Sequence, residues 1–339
     1  MTKLKTAKGR NLNLSHSSRE TWRSCNRRHG FVKWLGLPEP TTEALTYGTS
    51  VHYGLETLAK TGELPDKPKW RESSAYARAV GRAVTISELP FGPEGIEDGW
   101  QAEHQFVNPM VDLMDVKGQI DLHRIENRHT GEATTADDPD AILHIWDWKT
   151  TGSLRNAETP LTLANSPQAS VYAYEMAKHY GFEGRPVKVT FCWLVRHSAK
   201  GERVTAWHDI KQPLIPWERI VEQGHEEFVK TAEEQVAAYS EGEYTVAWVN
   251  ENLEASPSAC NKWGRPCPFA DKCAINQGPT IEWIKHRNTE EPMGLRDIRN
   301  RAKAKAQAPA AEAPKPTPKK SRDALDYELS QLEEMGAPV

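Results

Sequence analysis

The sequence predicts a mixed α/β fold, with a central sheet flanked by helices. Helical patterns fill the first quarter of the 339-residue chain, three strand-like runs follow, and a helix and further strands come after them. Helices and strands that alternate in this way are typical of one mixed core. Mean hydropathy is −0.69, and no apolar run reaches the ~18 residues that a membrane helix needs. We therefore expect no membrane partner.

Residues 17–35 form the first predicted helix, with Ser15 or Ser17 as its N-cap and Leu35-Gly36 at its end. Three basic residues spaced at i, i+4 and i+8 would share one face of this helix: Arg19, Arg23 and Arg27. A second predicted helix over 48–60 (GTSVHYGLETLAK) carries His52 and Glu56 one turn apart, and a third covers 72–88.

The remaining elements follow from alternating and apolar patterns. Strands are predicted over 101–109, 114–126, 142–149, 187–196 and 203–210, and helices over 164–181 and 216–241. Cys192 lies in the apolar run VTFCWLV, which predicts a buried core thiol.

The composition changes near residue 302, so the sequence divides into three predicted segments. Residues 1–302 form the folded domain, 303–320 an Ala/Pro/Lys linker with no prospect of a packed core, and 321–339 a short acidic amphipathic tail. The tail is either a frayed end or a tethered helix that docks on a protein partner.

Acidic residues cluster in two of the predicted strands. Side chains alternate faces along a strand, so Asp147 and Lys149 in HIWDWKT point the same way. Asp121 in the preceding strand could reach the same point, and Glu103 could add a carboxylate. Converging carboxylates suit Mg²⁺ or Mn²⁺, which can activate water against a phosphate. The alternative is an ordinary Asp–Lys surface pair on an edge strand.

Several short motifs, in this order, resemble the RecB-like branch of the PD-(D/E)XK nuclease superfamily. They are GTSVHYGLE, GQID, DWKT and QASVYAYEMA, and the resemblance extends from about residue 14 to 275. It implies a restriction-endonuclease-like core, a mixed sheet between helices, in which His52, Asp121, Asp147 and the backbone carbonyl of Trp148 bind the metal. By the same resemblance Lys149 is the catalytic lysine. Gln168 and Tyr172, one helical turn apart, position the DNA or the site.

Four of the five cysteines are candidate ligands, one of them N-terminal and three C-terminal: Cys25, Cys260, Cys267 and Cys273. The set contains no C-x₂-C pair, which counts against a zinc ribbon, although zinc and unligated thiols both remain open. Relatives of the AddB type and CRISPR-associated relatives carry a [4Fe-4S] cluster with this one-plus-three layout. The resemblance therefore implies a cluster that staples the N-terminal helix to the C-terminal arm, with Cys260 as the least secure ligand.

Such a staple would bring the arginine face together with basic residues near the C-terminal cysteines. The resulting basic patch would suit a phosphate backbone, and Trp22, Trp34 or Trp263 could stack on bases or simply pack. The favoured function is a metal-dependent exonuclease acting on DNA ends, single-stranded or processed duplex, in recombination or repair. The alternative is a nuclease-fold subunit that binds or processes DNA within a complex, which it joins through its C-terminal tail. The N-terminus lacks a secretory pattern, so we expect a cytoplasmic location in a bacterial or phage-infected cell.

Overall fold

Seven strands of the described residues pair into one mixed sheet. The strands are β1 (Asn13–Leu14), β2 (Gln101–Val111), β3 (Met114–Asn127), β4 (Ala141–Thr151), β5 (Val187–His197), β6 (Arg203–Ala206) and β7 (Leu214–Ile215). Their order is β1-β3-β4-β5-β6, with β2 also paired to β3 and β7 to β5. The β1–β3 and β4–β5 pairs are parallel, and the other pairs are antiparallel.

This computed structural model describes residues 4–63, 65, 81, 83–84, 89–91, 96, 99–153, 155, 157–197, 203–206, 213–239, 244–260 and 266–277. The described residues lie in one compact unit. Most of the predicted helix 72–88, the C-terminal part of the predicted strand 203–210, and the predicted linker and tail over 303–339 lie outside the described residues. No helix within the described ranges has the length and apolar character to cross a membrane.

The helices pack on both sides of the sheet. They are α1 (His16–Ser24), α2 (Asn26–His29), α3 (Glu43–Thr61), α4 (Pro160–Ala164), α5 (Pro167–Tyr180), α6 (Trp217–Ile220), α7 (Glu227–Ala238) and α8 (Val246–Asn252). Short π-helical turns, Gly30–Trp34 and Val221–Glu226, follow α2 and α6. The mixed α/β prediction is confirmed, and the first three predicted strands match β2, β3 and β4 to within two residues at each end.

The prediction of one continuous helix over 17–35 is wrong. Ser15 caps α1 as predicted, by accepting a hydrogen bond from Ser18 N. Cys25 then takes an extended conformation (φ −166°, ψ 110°), and its sulfur accepts from Arg28 N to cap α2. The chain therefore changes direction at Cys25, and the three arginines do not share one continuous helical face.

Two further predicted helices are interrupted where packing requires it. The predicted helix 164–181 becomes α4 and α5, because Ser166 caps a new helix that begins at Pro167. The predicted helix 216–241 contains the second π-helical turn, where Gly224 packs against α5. A Cβ at Gly224 would lie 2.3 Å from the carbonyl oxygen of Ser170, so only glycine fits this close approach.

Strand β4 separates two hydrophobic cores. Leu143 and Ile145 belong to the core that α5 covers, and Trp146 and Trp148 belong to the core that α3 covers. This alternation places Asp147 on the same side as Ile145, facing α5. The two helices thus meet the end of β4 from opposite sides, where the predicted acidic residues lie.

Candidate active site

Two aspartates meet at the junction of β3 and β4. The two strands pair through Leu122 and Trp146, so Asp121 and Asp147 come one step further along the ladder. Both are buried, with 7% and 3% of their surface exposed. Asp121 Oδ2 accepts a hydrogen bond of 2.8 Å from the backbone N–H of Trp148, which fixes its carboxylate against β4. The structure thus brings the two predicted carboxylates together.

Helix α3 adds His52 from the opposite layer. Its Nδ1 lies 3.1 Å from Asp121 Oδ1. Burial lowers the pKa of His52, but the hydrogen bond and charge of Asp121, helped by Asp147, outweigh burial and raise the pKa overall. The helix reaches this close because Gly48 faces β4, where a Cβ would lie 2.9 Å from Thr150 Oγ1.

Lys149 is held from three directions. Its ammonium forms an ion pair with Asp147 Oδ2 and donates a 3.0 Å hydrogen bond to Gln168 Oε1. It also lies 4.5 Å from the ring centroid of Phe191 on β5. Gln168 Nε2 in turn donates to Tyr172 OH at 3.1 Å. The two residues predicted on α5 therefore form a hydrogen-bonded chain that ends at Lys149.

Tyr172 depends on a glycine in β3. Its ring packs edge-on against Phe106, with centroids 6.2 Å apart. A Cβ on Gly118 would lie 2.3 Å from the Phe106 ring and 3.0 Å from the Tyr172 ring, so a side chain there would push both rings away. Burial, with the charge of Asp147, raises the pKa of Tyr172, which keeps the hydroxyl protonated.

The site places two buried carboxylates beside one lysine. Burial raises the pKa of Asp147, Asp121 raises it further, and Lys149 opposes both. Asp147 Oδ2 is buried, and its partner among the described residues is the Lys149 ammonium. A buried carboxylate oxygen without a hydrogen bond is costly unless a cation satisfies it.

The donor set fits a divalent cation in its chemistry. Two carboxylates are suitable ligands for Mg²⁺ or Mn²⁺, which retain several waters. Within the described ranges, no three His, Cys, Asp or Glu side chains are arranged as a complete metal site. Their oxygens and nitrogens are paired with protein groups instead, namely His52 with Asp121 and Lys149 with Asp147.

Glu103 lies in a strained position beside this site. It is the only non-glycine described residue with positive φ (56°), and its carboxylate accepts a hydrogen bond from Gln119. Burial raises its pKa to about 7, and the charges of Glu56 and Asp121 contribute. Strain of this kind is often found at functional sites. The sequence suggested Glu103 as an additional carboxylate, and its surroundings are compatible with that prediction.

The sequence did not indicate two titratable residues that lie near Lys149. Burial raises the pKa of Glu158. The charge of Lys149 opposes this rise, and the charge of Asp147 adds to it. Burial lowers the pKa of His16 to about 4, with Glu20 opposing and Lys149 contributing. Neither lies in a recognisable motif, because each reaches the site through the fold: His16 begins α1 and Glu158 precedes α4.

Four cysteines line one cavity. Cys25 contributes from the break between α1 and α2, and the three others come from the C-terminal segment: Cys260, Cys267 and Cys273. Burial raises the pKa of Cys260, and the three other thiols raise it further. Cys192, by contrast, is buried in the core on the α3 side, as predicted.

The three arginines predicted to bind DNA have protein partners. Arg19 is 7% exposed and pairs with Glu20 and Glu227, and Arg23 pairs with Glu227 and Glu234. Arg27 donates to the carbonyl oxygens of Leu253 and Asn250 and to Cys273 Sγ at 3.6 Å. With these bonds the arginines are occupied in joining the N-terminal arm to later helices, and their DNA-binding role stays a prediction.

Two of the three tryptophans proposed to stack on bases are buried. Trp22 and Trp34 are buried, with 5% and 1% of their surface exposed, so packing explains both. Trp263 lies outside the described residues.

Comparisons with known proteins agree with this geometry at the level of the family. No curated protein matches the chain. A solved structure described as "Crystal structure of SSO0001" is similar at 12% identity and a TM-score of 0.34, over 69% of this chain and 80% of that one, which is too weak to carry an argument. A family model described as PD-(D/E)XK nuclease superfamily matches residues 13–274, a span that contains every residue of the site above. The chain therefore belongs to the PD-(D/E)XK nuclease superfamily.

Proposed function

We propose that the protein is a Mg²⁺- or Mn²⁺-dependent deoxyribonuclease that hydrolyses DNA from its ends. The observation that carries the proposal is the arrangement of Asp121, Asp147 and Lys149 at one strand junction, with His52 beside it. A surface Asp–Lys pair would be exposed, whereas these carboxylates are buried. Nuclease activity follows from the family, and attack from DNA ends is our more specific proposal.

Different side chains of the site would bind the metal, act on the phosphate and position the lysine. Asp121, Asp147, His52 and the Trp148 carbonyl would hold the cation, which supplies an activated water and neutralises phosphate charge when bound. Lys149, fixed by Asp147 and Gln168, would donate a hydrogen bond to the attacking water or to the phosphate oxygen that gains charge. Tyr172 would keep Gln168 in place through its hydroxyl.

End dependence is tested with matched substrates. The protein is incubated with Mn²⁺ or Mg²⁺ and with linear duplex, linear single-stranded and covalently closed circular DNA of one sequence. We expect mononucleotides or short products from linear DNA and no cleavage of the circle. If the circle were cleaved as fast as the linear DNA, the protein would be a nuclease but not an exonuclease. Labels at the 5′ and 3′ ends identify the polarity.

We further propose that the four-thiol cavity binds a [4Fe-4S] cluster. Four sulfurs around one cavity, with the apolar side chains Phe31 and Ala259 beside them, fit a thiolate-ligated cofactor. Arg27, which bonds Cys273, and Arg28, which lines the cavity, would offset the negative charge of the thiolates. Since Cys25 and Cys273 lie far apart in sequence, the cofactor would join the N-terminal arm to the C-terminal segment and act structurally.

The cluster is tested by anaerobic purification with iron, sulfide and zinc analysis and a visible spectrum. We expect about four iron atoms per chain, lost in Cys267→Ser. Arg27→Gln should lower the iron content, whereas Arg23→Gln, whose arginine pairs with glutamates among the described residues, should retain it. Zinc in stoichiometric amount, or no metal, would contradict the cluster without affecting the nuclease proposal.

The biological setting is also a proposal. A nuclease that degrades DNA ends fits recombination or repair within a cell, and the acidic segment 321–339 would recruit a protein partner. Pull-down with the full chain and with a chain truncated after residue 304 tests this, since loss of a captured protein on truncation is expected.

A further inference from the structure

Lys149 is surrounded on three sides by groups of different chemistry. Asp147 supplies a charge, Gln168 supplies a carbonyl oxygen at 3.0 Å, and Phe191 presents the face of its ring 4.5 Å from the ammonium nitrogen. The first two belong to the motifs of the family resemblance. Phe191 belongs to none of them and lies in the apolar run of β5.

We propose that Phe191 is a positioning residue for DNA hydrolysis, whose ring face holds the Lys149 ammonium in its reactive orientation. The inference rests on the proposed nuclease function and adds a residue to it. Phe191 would touch neither DNA nor metal and would act only through Lys149.

The number of donors on the ammonium supports this role. A lysine ammonium has three N–H groups. The ion pair with Asp147 and the hydrogen bond to Gln168 use two of them. A ring face attracts the cation through its quadrupole but takes no conventional hydrogen bond. Phe191 therefore stabilises the ammonium and leaves the third N–H for the water or phosphate.

The ring also restricts a flexible side chain. Lysine has four rotatable side-chain bonds, and fixing them costs conformational entropy that a catalytic group has to recover from its contacts. Phe191 is 1% exposed and lies opposite Asp147 in the parallel ladder of β4 and β5. Because the ring is fixed by the core and by strand register, it offers the lysine a rigid surface.

The sharpest test changes the electrons of the ring and not its size. Phenylalanine at 191 is replaced in the full chain by mono-, di- and trifluorinated phenylalanine, which progressively weakens the cation-binding face. We expect kcat for linear DNA with Mn²⁺ to fall stepwise, by about ten-fold in total, with KM nearly unchanged. Thermal unfolding should stay constant along the series.

Phe182 supplies a matched control. It is equally buried, with 1% of its surface exposed, and has the Arg185 guanidinium 5.1 Å from its ring centroid, away from the proposed site. The same fluorinated series at 182 should leave kcat unchanged. A parallel decline at both positions would attribute the effect to general packing and overturn the proposal.

Conventional variants give a second measurement. Phe191→Leu keeps an apolar side chain and removes the ring, so kcat should fall about ten-fold, and Phe191→Tyr should restore most of it. Full hydrolysis by the unsubstituted chain, together with a flat fluorinated series, would overturn the role of Phe191 alone. No hydrolysis by the unsubstituted chain would overturn the proposed function and this inference with it.

Discussion

Two buried carboxylate clusters lie on the same strands, and they differ in how their charge is balanced. At one end of β3 and β4, Glu126 contacts Arg124 at 2.7 Å and both His144 and Lys188 at 2.9 Å. At the other end, Asp121 and Asp147 share one lysine and one histidine. Leaving the histidines aside, the first cluster has two cations for one carboxylate, and the second has one cation for two carboxylates.

The pKa shifts follow this balance. Burial raises the pKa of Glu126, but hydrogen bonds and charges from His144 and Lys188 outweigh burial and bring the pKa down to about 2. At Asp147 burial prevails over Lys149, and the pKa is raised. A carboxylate satisfied by protein cations is a structural element, whereas a pair with too few cations is suited to bind one.

The largest effect is expected from removing a charge at the second cluster. Asp147→Asn keeps the shape of the side chain and should reduce the rate of DNA hydrolysis about a thousand-fold or more, because an oxygen proposed to bind the metal is lost. The free energy of unfolding should stay the same or rise, since a buried carboxylate is replaced by a neutral amide. Hydrolysis of labelled linear DNA and urea unfolding of the same preparation measure both.

The opposite result is expected at the first cluster. Glu126→Gln leaves Arg124 and Lys188 without a buried counter-charge and should lower the free energy of unfolding by about 3 kcal/mol. Activity at a temperature where the variant is folded should stay within about two-fold of the unsubstituted chain. Loss of activity with unchanged stability would reverse the assignment of the two clusters.

The proposed catalytic set was predictable because its chemistry is local in the sequence. Asp147 and Lys149 are two residues apart in a strand, and alternation alone puts them on one face. His52, Asp121 and Gln168 were predicted from motifs, and the structure brings all of them to the same strand junction. The mixed α/β class also followed from patterns that are local.

Other features depend on contacts between distant segments, which local patterns do not encode. The helix break at Cys25 comes with contacts to residues more than two hundred positions away, such as the Arg27 bonds to Leu253 and Asn250. The arginines are spaced as on a DNA-binding helix, but Glu227 and Glu234 from α7 take up Arg23, and Glu227 also pairs with Arg19. The Glu126 cluster was missed because its basic partners come from three strands.

Acid should weaken the first cluster in a defined pH window. The folded pKa of Glu126, about 2, lies below its ordinary value of 4.5, so its contribution is complete above pH 4.5 and is lost as pH falls toward 2. The loss is at most about 1.4 kcal/mol per pH unit for one group. The difference in unfolding free energy between the unsubstituted chain and Glu126→Gln should therefore narrow from pH 5 to pH 3. A constant difference would contradict the low pKa.

The smallest effect distinguishes the two lysines. Lys188→Gln removes one of the cations at Glu126 but leaves Arg124 and His144 in contact, so we expect a loss of about 1 kcal/mol in unfolding free energy and no change in hydrolysis. Lys149→Gln is the matched variant in the second cluster. It should greatly slow hydrolysis and also lower the unfolding free energy, because the buried Asp147 loses its ion-pair partner. Each lysine pairs with a buried carboxylate, Lys149 with Asp147 on its own strand β4, and Lys188 on β5 with Glu126 on β3. If the two variants had the same effect on hydrolysis, charge balance would not separate structural carboxylates from the proposed catalytic ones in this fold.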